Sequence, residues 1–385
     1  MLRTVRVSVA IICFSLISLL FLDFTGTLHV WFGWLAKIQF LPALLALNVG
    51  VILSLLLLTL LFGRIYCSVI CPLGVFQDII AWFGKRGKKL PYTYSRALSW
   101  LRYGILIVFI IAVLAGGGSF VALLAPYSSY GRIVSNLFAP LYQLGNNMFA
   151  YLAERAESYA FYEVDVWVKS LSTFIIALIT FGVLVLLAWR NGRTYCNTIC
   201  PVGTFLGTIA KYSLFKPVID VSKCNSCGLC ARHCKAACID SKKHKIDYSR
   251  CVVCLDCLDK CRHGAIKYMR RSAVKDKISS PVVTQDQIDS ARRNFLSVSA
   301  LFAATTVIKA QEKKVDGGLA VIEDKKIPNR VVALTPPGSL SVRNFAKHCT
   351  ACQLCVSVCP NQVLRPSGSL MTLMQPEMSY ERGYC

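Results

Sequence analysis

Four long apolar runs punctuate the first half of the chain: Val7–Phe24, Leu41–Phe62, Leu101–Leu124 and Leu171–Trp189. Each approaches the ~20 apolar residues that a helix needs to cross a bilayer, so the pattern predicts an α-helical membrane protein with four transmembrane helices. A fifth run, Phe295–Ile308, is built of smaller residues and is cut off by Lys309. Elsewhere the pattern turns polar. It divides the chain into a four-helix membrane domain (1–215), a cysteine-rich stretch (216–270), a basic linker (271–294), the weak apolar segment (295–310) and a second cysteine-bearing stretch (311–385). The cysteine-rich stretches are expected to form small α+β domains.

Two of the apolar runs end in the same phrase. Gly63, Arg64, Tyr66, Cys67, Ile70, Cys71, Pro72, Gly74 and Phe76 recur as Gly192, Arg193, Tyr195, Cys196, Ile199, Cys200, Pro201, Gly203 and Phe205. An internal repeat of this kind governs the reading of everything around it. Here the unit is a membrane helix followed by a C-x3-C-P turn.

Basic residues orient the helices. Arg3 and Arg6 precede the first. Arg64, Lys85, Arg86, Lys88, Lys89 and Arg96 lie between the second and third, and Arg190 and Arg193 follow the fourth. The opposite loops hold Lys37, Arg132, Arg155 and Lys169, offset by Glu154, Glu157, Glu163 and Asp165. Lys and Arg collect in cytoplasmic loops. The N-terminus, both C-x3-C-P turns and the 216–270 domain are therefore expected in the cytoplasm. The formal charge of +23 is read the same way, and not as a nucleic-acid interface. A hydrophobic fraction of 55% and a mean hydropathy of +0.52 agree with a membrane protein.

The nineteen cysteines fall into tight groups, which argues for metal ligation and against a disulfide scaffold. Cys224, Cys227, Cys230 and Cys234 form C-x2-C-x2-C-x3-C, and Cys251, Cys254, Cys257 and Cys261 repeat it. This is bacterial ferredoxin spacing, in which the fourth cysteine serves the other cluster. One [4Fe–4S] cluster is thus expected on Cys224, Cys227, Cys230 and Cys261, and another on Cys251, Cys254, Cys257 and Cys234. Structural zinc prefers separated C-x2-C pairs. Lys235 and Arg262 stand where this spacing usually carries proline, and a cation there would favour a cluster's reduced state. Cys238 and Cys13 read as packing residues. A third group, Cys349, Cys352, Cys355 and Cys359 with Pro360, has the same spacing and implies at least one more cluster. Its second half is missing. Cys385 would be the first cysteine of that half, so the sequence reads as cut short or completed by another chain, and the fourth ligand is open. Cys67, Cys71, Cys196 and Cys200 would converge if the repeats face each other. They would then hold a further cluster, form thiol–disulfide pairs, or stand as unreactive thiols in proline-marked turns.

Ala291–Ser297 resembles a twin-arginine export signal, with Arg292, Arg293, Phe295 and Leu296 before the small-residue run. Export would put Cys349–Cys359 on the periplasmic side; an amphipathic surface helix would keep it in the cytoplasm.

Residues 1–268 resemble the NapH family of ferredoxin-type proteins, through the four apolar segments, the two C-x3-C-P turns and the two-cluster spacing. Residues 290–385 resemble NapG/MauM-type ferredoxins, through the twin-arginine stretch, Thr335-Pro336-Pro337-Gly338 and Cys349–Pro360. The C-x3-C-P turns are also similar to those of NosR. The resemblance implies a multi-pass inner-membrane protein that passes electrons from the quinol pool toward an exported reductase.

Only five histidines are present, with His29 alone near an apolar run, which argues against a bis-histidine haem in the bundle. No C-x-x-C-H is present, and Gly116–Gly118 follows no strand. The chain therefore reads as an electron-transfer component of a quinol-linked oxidoreductase, with no catalytic residues of its own. The loop holding Asp23, His29 and Trp31 is a place for quinol to dock, or an interfacial anchor. A cluster-based redox sensor or maturation factor, and an anchor for a cytoplasmic dehydrogenase, are the alternative readings.

Overall fold

The computed structural model describes residues 2–23, 25–86, 92–155, 161–270, 315–316, 320–321, 334–370 and 372–380. The weak fifth segment, Arg292, Arg293 and Cys385 lie outside them.

Helix α1 (Leu2–Leu22) is an uninterrupted apolar helix of 21 residues. Three short helices follow, α2 (Thr27–Phe32), α3 (Trp34–Lys37) and α4 (Phe40–Leu45), before α5 (Val49–Phe62). The apolar run expected to span as Leu41–Phe62 is therefore broken. Leu47 adopts φ 51, and Asn48 caps α5 by accepting from Val51 N. After α6 (Tyr66–Val69) and α7 (Pro72–Arg86), the third run is broken in the same way into α8 (Ser99–Leu114) and α9 (Gly118–Leu124). Gly116 at φ 76 makes the break. Among the described residues, two helices, α1 and a later one, Leu171–Asn191, are long and apolar enough to cross a membrane.

α10 (Pro126–Ile133) leads through a π-helical turn at Val134–Phe138 into α11 (Ala139–Arg155). α12 (Leu171–Asn191), α13 (Thr194–Thr198) and α14 (Pro201–Ala210) then repeat the α5–α6–α7 sequence. The repeated phrase explains its own geometry. Gly63 (φ 76) and Gly192 (φ 70) end α5 and α12 in a backbone region that other residues rarely enter. Pro72 and Pro201 open the next helices, where the missing N–H costs nothing. The repeats then exchange partners. α7 packs along α12, and α14 packs along α5 and α8.

β1 (Phe215–Ile219) opens the ferredoxin stretch. α15 (Leu229–Arg232), β2 (Ile239–Asp240), β3 (Lys245–Ile246), α16 (Asp256–Lys260) and β4 (Ile266–Arg270) follow. β1 pairs antiparallel with β4, Phe215 opposite Arg270, and β2 pairs with β3. A separate unit, residues 278–330, shows one antiparallel hairpin, β5 (Val315–Asp316) with β6 (Ala320–Val321). The C-terminal stretch contributes α17 (Val342–His348), α18 (Leu354–Val358), β7 (Leu364–Pro366) and β8 (Pro376–Met378). It belongs to the same compact unit as residues 1–277. One hydrophobic core runs through this unit, from Phe21 and Leu354 through Tyr66, Cys67 and Cys196 to Cys234, Cys254 and Cys257.

Candidate metal centres

The three C-x2-C-x2-C loops share one backbone. In each, the residue before the middle cysteine and the residue after it are left-handed: Ser226 and Gly228, Val253 and Leu255, Ala351 and Gln353. The third residue after each fourth cysteine is left-handed too: Ala237, Gly264 and Gln362. A β-branched residue such as Val253 enters this region only when its surroundings demand it. Alternating backbone of this kind turns successive N–H groups toward one concave side, an arrangement suited to an anionic group. The third group thus folds like the first two.

Around the ferredoxin loops lie two apolar cavities. One is lined by Cys224, Cys227, Cys230 and Cys261. The other is lined by Cys251, Cys254, Cys257 and Cys234, with Cys238 as a fifth thiol. Each cavity thus takes three cysteines from one motif and the last from the other. Cys238 is buried as a packing residue should be, but its Sγ lies 3.5 Å from Cys234 Sγ. Among the described residues, no three His, Cys, Asp or Glu side chains come close enough to clasp a single metal ion, and no cysteine is joined in a disulfide. Sulfurs spread around a cavity suit a multi-iron group better than one ion.

The C-x3-C-P cysteines are buried and close enough to act on one another. Burial pushes the Cys200 thiol up, and Cys196, Cys67 and Cys71 push it further. The two turns are interlocked by their arginines. Arg64 donates to Cys196 O (3.2 Å) and approaches Cys67 Sγ at 3.9 Å. Arg193 donates to Cys67 O at 2.6 Å. Each guanidinium lies over the glycine of the other repeat. A Cβ on Gly203 would sit 2.7 Å from Arg64 Nη2, and one on Gly74 would sit 2.9 Å from Arg193 Nη1. N–H groups also point at sulfur: Gln77 Nε2 lies 3.3 Å from Cys196 Sγ, and Gly203 N 3.3 Å from Cys200 Sγ.

The two arginines are balanced differently. Arg193 is paired with Asp78 at 2.6 Å. Burial alone would push Asp78 up, but Arg193, Lys235 and Arg6 hold its carboxyl well below the usual carboxylate range. Arg64 is fully buried, donates to Asn197 Oδ1 and Ser249 O, and makes no ion pair with a carboxylate among the described residues. Arg132 is fully buried too, donating to Ala122 O, Leu123 O and Ser129 Oγ. Guanidinium does not deprotonate in proteins, and a buried charge without a counter-ion is costly. Arg64 borders Cys67, and Arg132 lies within electrostatic reach of Cys352. Thiolates bearing a cluster would supply the missing negative charge at both places, so the donor sets and their surroundings fit iron–sulfur clusters.

The third group docks tightly on α10. Ser128 Oγ donates to Thr350 O at 2.6 Å, and Asn136 Nδ2 to Gln353 Oε1 at 2.8 Å. Cys359 lies within electrostatic reach of Lys169, and Lys169 donates to Val356 O.

Two residues singled out in the sequence are held by neighbours. Lys235 Nζ sits 3.6 Å from Asp78 and 3.2 Å from Asp256. The Asp23 oxygens accept from the backbone N–H groups of Thr25, Gly26, Leu28 and His29. Gln77 and Asp78 escaped the sequence reading, and Arg132 and Cys238 entered it only as a loop charge and a packing residue. Gln77 and Asp78 correspond to Leu206 and Gly207 in the second repeat, so the repeat itself hid them. Arg64 and Arg193, in contrast, stood in both copies.

The 4Fe-4S binding domain family matches residues 44–91 and again 173–221, the segments that carry the two C-x3-C-P turns. The ferredoxin-type protein NapH of Haemophilus influenzae is 28% identical over 60% of this chain and 70% of its own length. The putative electron transport protein YccM of Escherichia coli is 24% identical over 57% of this chain, which spans 55% of that protein. The pyruvate synthase subunit PorD of Methanothermobacter marburgensis is 39% identical over 18% of this chain and 85% of its own length. No solved structure matches. With C-x3-C-P turns interlocked in the helical core and ferredoxin loops folded against them, the chain carries 4Fe-4S binding segments and is similar to the ferredoxin-type protein NapH.

Proposed function

We propose that the chain is a membrane-bound iron–sulfur electron carrier that links the quinol pool to a reductase on the other side of the membrane. In this reading Cys224, Cys227, Cys230 and Cys261 hold one [4Fe–4S] cluster, and Cys251, Cys254, Cys257 and Cys234 hold a second. Cys349, Cys352 and Cys355 hold a third, with its fourth ligand supplied from outside the described residues. Cys67, Cys71, Cys196 and Cys200 hold a further cluster. When bound, such clusters supply one-electron stations whose potentials follow charge, hydrogen bonds to sulfur and exposure. The chain's own residues shield these sites from water, balance their charge with Arg64, Arg193 and Arg132, and aim N–H groups at sulfur.

The observation that carries the reading is the order of the cysteine groups along α1. Arg3, at its start, pairs with Asp256 between Cys254 and Cys257 at 2.7 Å. Arg6, a turn further on, donates to Ser68 O beside Cys67. Just beyond the far end, a Cβ on Gly26 would lie 3.7 Å from Val358, beside Cys359. Twenty-one helical residues rise about 30 Å, the thickness of a hydrocarbon core. The ferredoxin-type and electron-transport names of the relatives support the same reading, and the basic-residue count supports a cytoplasmic side for residues 216–270.

The test is anaerobic purification in detergent, with iron analysis and EPR before and after a quinol analogue. Quinol-reducible [4Fe–4S] signals, diminished in Cys67→Ser and Cys196→Ser, are expected. Clusters that reduce with dithionite yet ignore quinol would overturn the quinol link and favour a redox sensor.

A further inference from the structure

A cavity of about 230 Å³ lies apart from the cysteine-lined ones. It opens between α1, α7 and the ferredoxin stretch, lined by Arg3, Ala81, Trp82, His233, Lys235, Asp256 and Lys260. Its inner wall is one residue from cysteine at three points. His233 and Lys235 flank Cys234, and Asp256 precedes Cys257. Trp82 is exposed, and so are apolar residues near the lining in sequence: Leu2 and Val5 on α1, and Phe83 on α7. Leu2 and Val5 stand at the end of a helix apolar enough to cross a membrane. A molecule entering here would come from the lipid side and present its polar end to the second cysteine group.

The wall chemistry selects that polar end. Lys260, Arg3 and Lys235 supply cationic N–H donors. The His233 ring meets Leu229 O through Nδ1 at 3.0 Å, which sets Nδ1 as the protonated nitrogen in the neutral ring and leaves Nε2 an acceptor. Trp82 supplies a flat apolar face. Donors and an acceptor around an aromatic wall, at the head of an apolar entrance, match a planar ring with an oxygen at either end and a hydrocarbon tail. Arg3 and Lys235 share Asp256 at 2.7 and 3.2 Å. Asp78 also meets Lys235 at 3.6 Å, and Asp259 lies 3.7 Å from Arg3 and 4.0 Å from Lys260. Each cation of the wall thus has a carboxylate beside it, which suits a neutral ring better than a phosphate.

We propose that this cavity is the binding site for the headgroup of a lipid-soluble quinone or quinol, at the ferredoxin end of α1 and not at the Asp23–Trp31 loop of the opposite end. The inference rests on the electron-carrier reading above, and it assigns that reading's membrane substrate to named residues.

The experiment uses the full chain with its iron in lipid nanodiscs and a photoreactive azidoquinone, with labelled peptides identified by mass spectrometry. Label is expected on the peptides bearing Trp82 and Lys260, and it is displaced by excess unlabelled quinone. Trp82→Ala and Lys260→Ala should each cut labelling roughly tenfold at unchanged iron content, while Trp82→Phe retains it. Label on residues 25–37 would overturn the site. So would label insensitive to Trp82→Ala, or label displaced by phosphatidylglycerol but not by quinone. Quinol reduction of the clusters separates the two ideas. If both variants reduce as the wild type does, the site is wrong and the carrier reading stands. If quinol reduces no cluster in the wild type while the label still maps to Trp82, the carrier reading fails and the site stands.

Discussion

Gln77 and Arg64 reach into the four-cysteine centre from opposite repeats. Gln77 is fully buried and has no counterpart in the second copy, where Leu206 stands. Its amide N–H to Cys196 Sγ would favour the more negative, reduced form of a ligated group. Gln77→Leu, which mimics the second repeat, is expected to shift one EPR-detected midpoint to more negative potential. That signal should be the one lost in Cys67→Ser, and a redox titration checks the identity. Arg64 and Arg193 were visible in the sequence as part of the repeated phrase, but their role was not. A guanidinium bonded to the carbonyl of the other repeat is a long-range contact, and no local pattern encodes it. Gly131 shows the same limit. A Cβ there would lie 2.3 Å from Cys352 O and 2.9 Å from the Phe21 ring. Gly131→Ala should cost about 1–3 kcal/mol by overpacking. It should weaken the EPR signal of the C-terminal group while sparing those of the ferredoxin stretch.

Among elements, the decisive contact is between α7 and the ferredoxin stretch. Asp78 on α7 gathers Arg6, Arg193 and Lys235, and Lys235 passes on to Asp256 at the start of α16. Asp78→Asn would leave buried cations unpaired and is expected to cost about 3–5 kcal/mol. It should appear as a lower Tm in detergent and faster proteolysis after residue 210. The pH dependence follows from the carboxyl's low pKa. Because the folded value lies below the unfolded one of about 3.9, the stabilisation is present above that value and is lost as pH falls through the folded one. The wild type should therefore keep this contribution unchanged from pH 8 to about pH 5, which a Tm series checks. The apolar pattern found α1 and α12 but overstated two other runs as continuous helices. Leu47 and Asn48 interrupt one, and Gly116 the other. A composition window averages over a single left-handed residue, whereas a helix cannot.

For the whole molecule, the question is how the cysteine groups are distributed along the bundle. Arg3–Asp256 ties the ferredoxin stretch to one end of α1, and Gly26 and Val358 meet just past the other. If α1 spans the membrane, the two stretches face opposite compartments. Single reporter cysteines at Ser222 and Ser369, both exposed, are expected to react with a membrane-impermeant maleimide from opposite sides. Inverted vesicles should label the first and intact spheroplasts the second. Labelling of both from one side would remove the transmembrane part of the proposed function.

The sequence by itself determined the cysteine spacing and the repeat. Cysteine spacing is local, so three ferredoxin loops and two C-x3-C-P turns were legible before any fold was known. The sequence also pointed to Cys234 and Cys261 joining the opposite motif, and each lines the cavity beside that motif. What only the tertiary structure decided is how these pieces meet. The α7–α12 and α5–α14 crossing brings four distant thiols together. Asp78 neutralises Lys235, and α10 receives the C-terminal loop through Ser128 and Gly131. Each of these depends on residues far apart in the chain whose approach is set by packing, and packing leaves no periodic mark on the sequence.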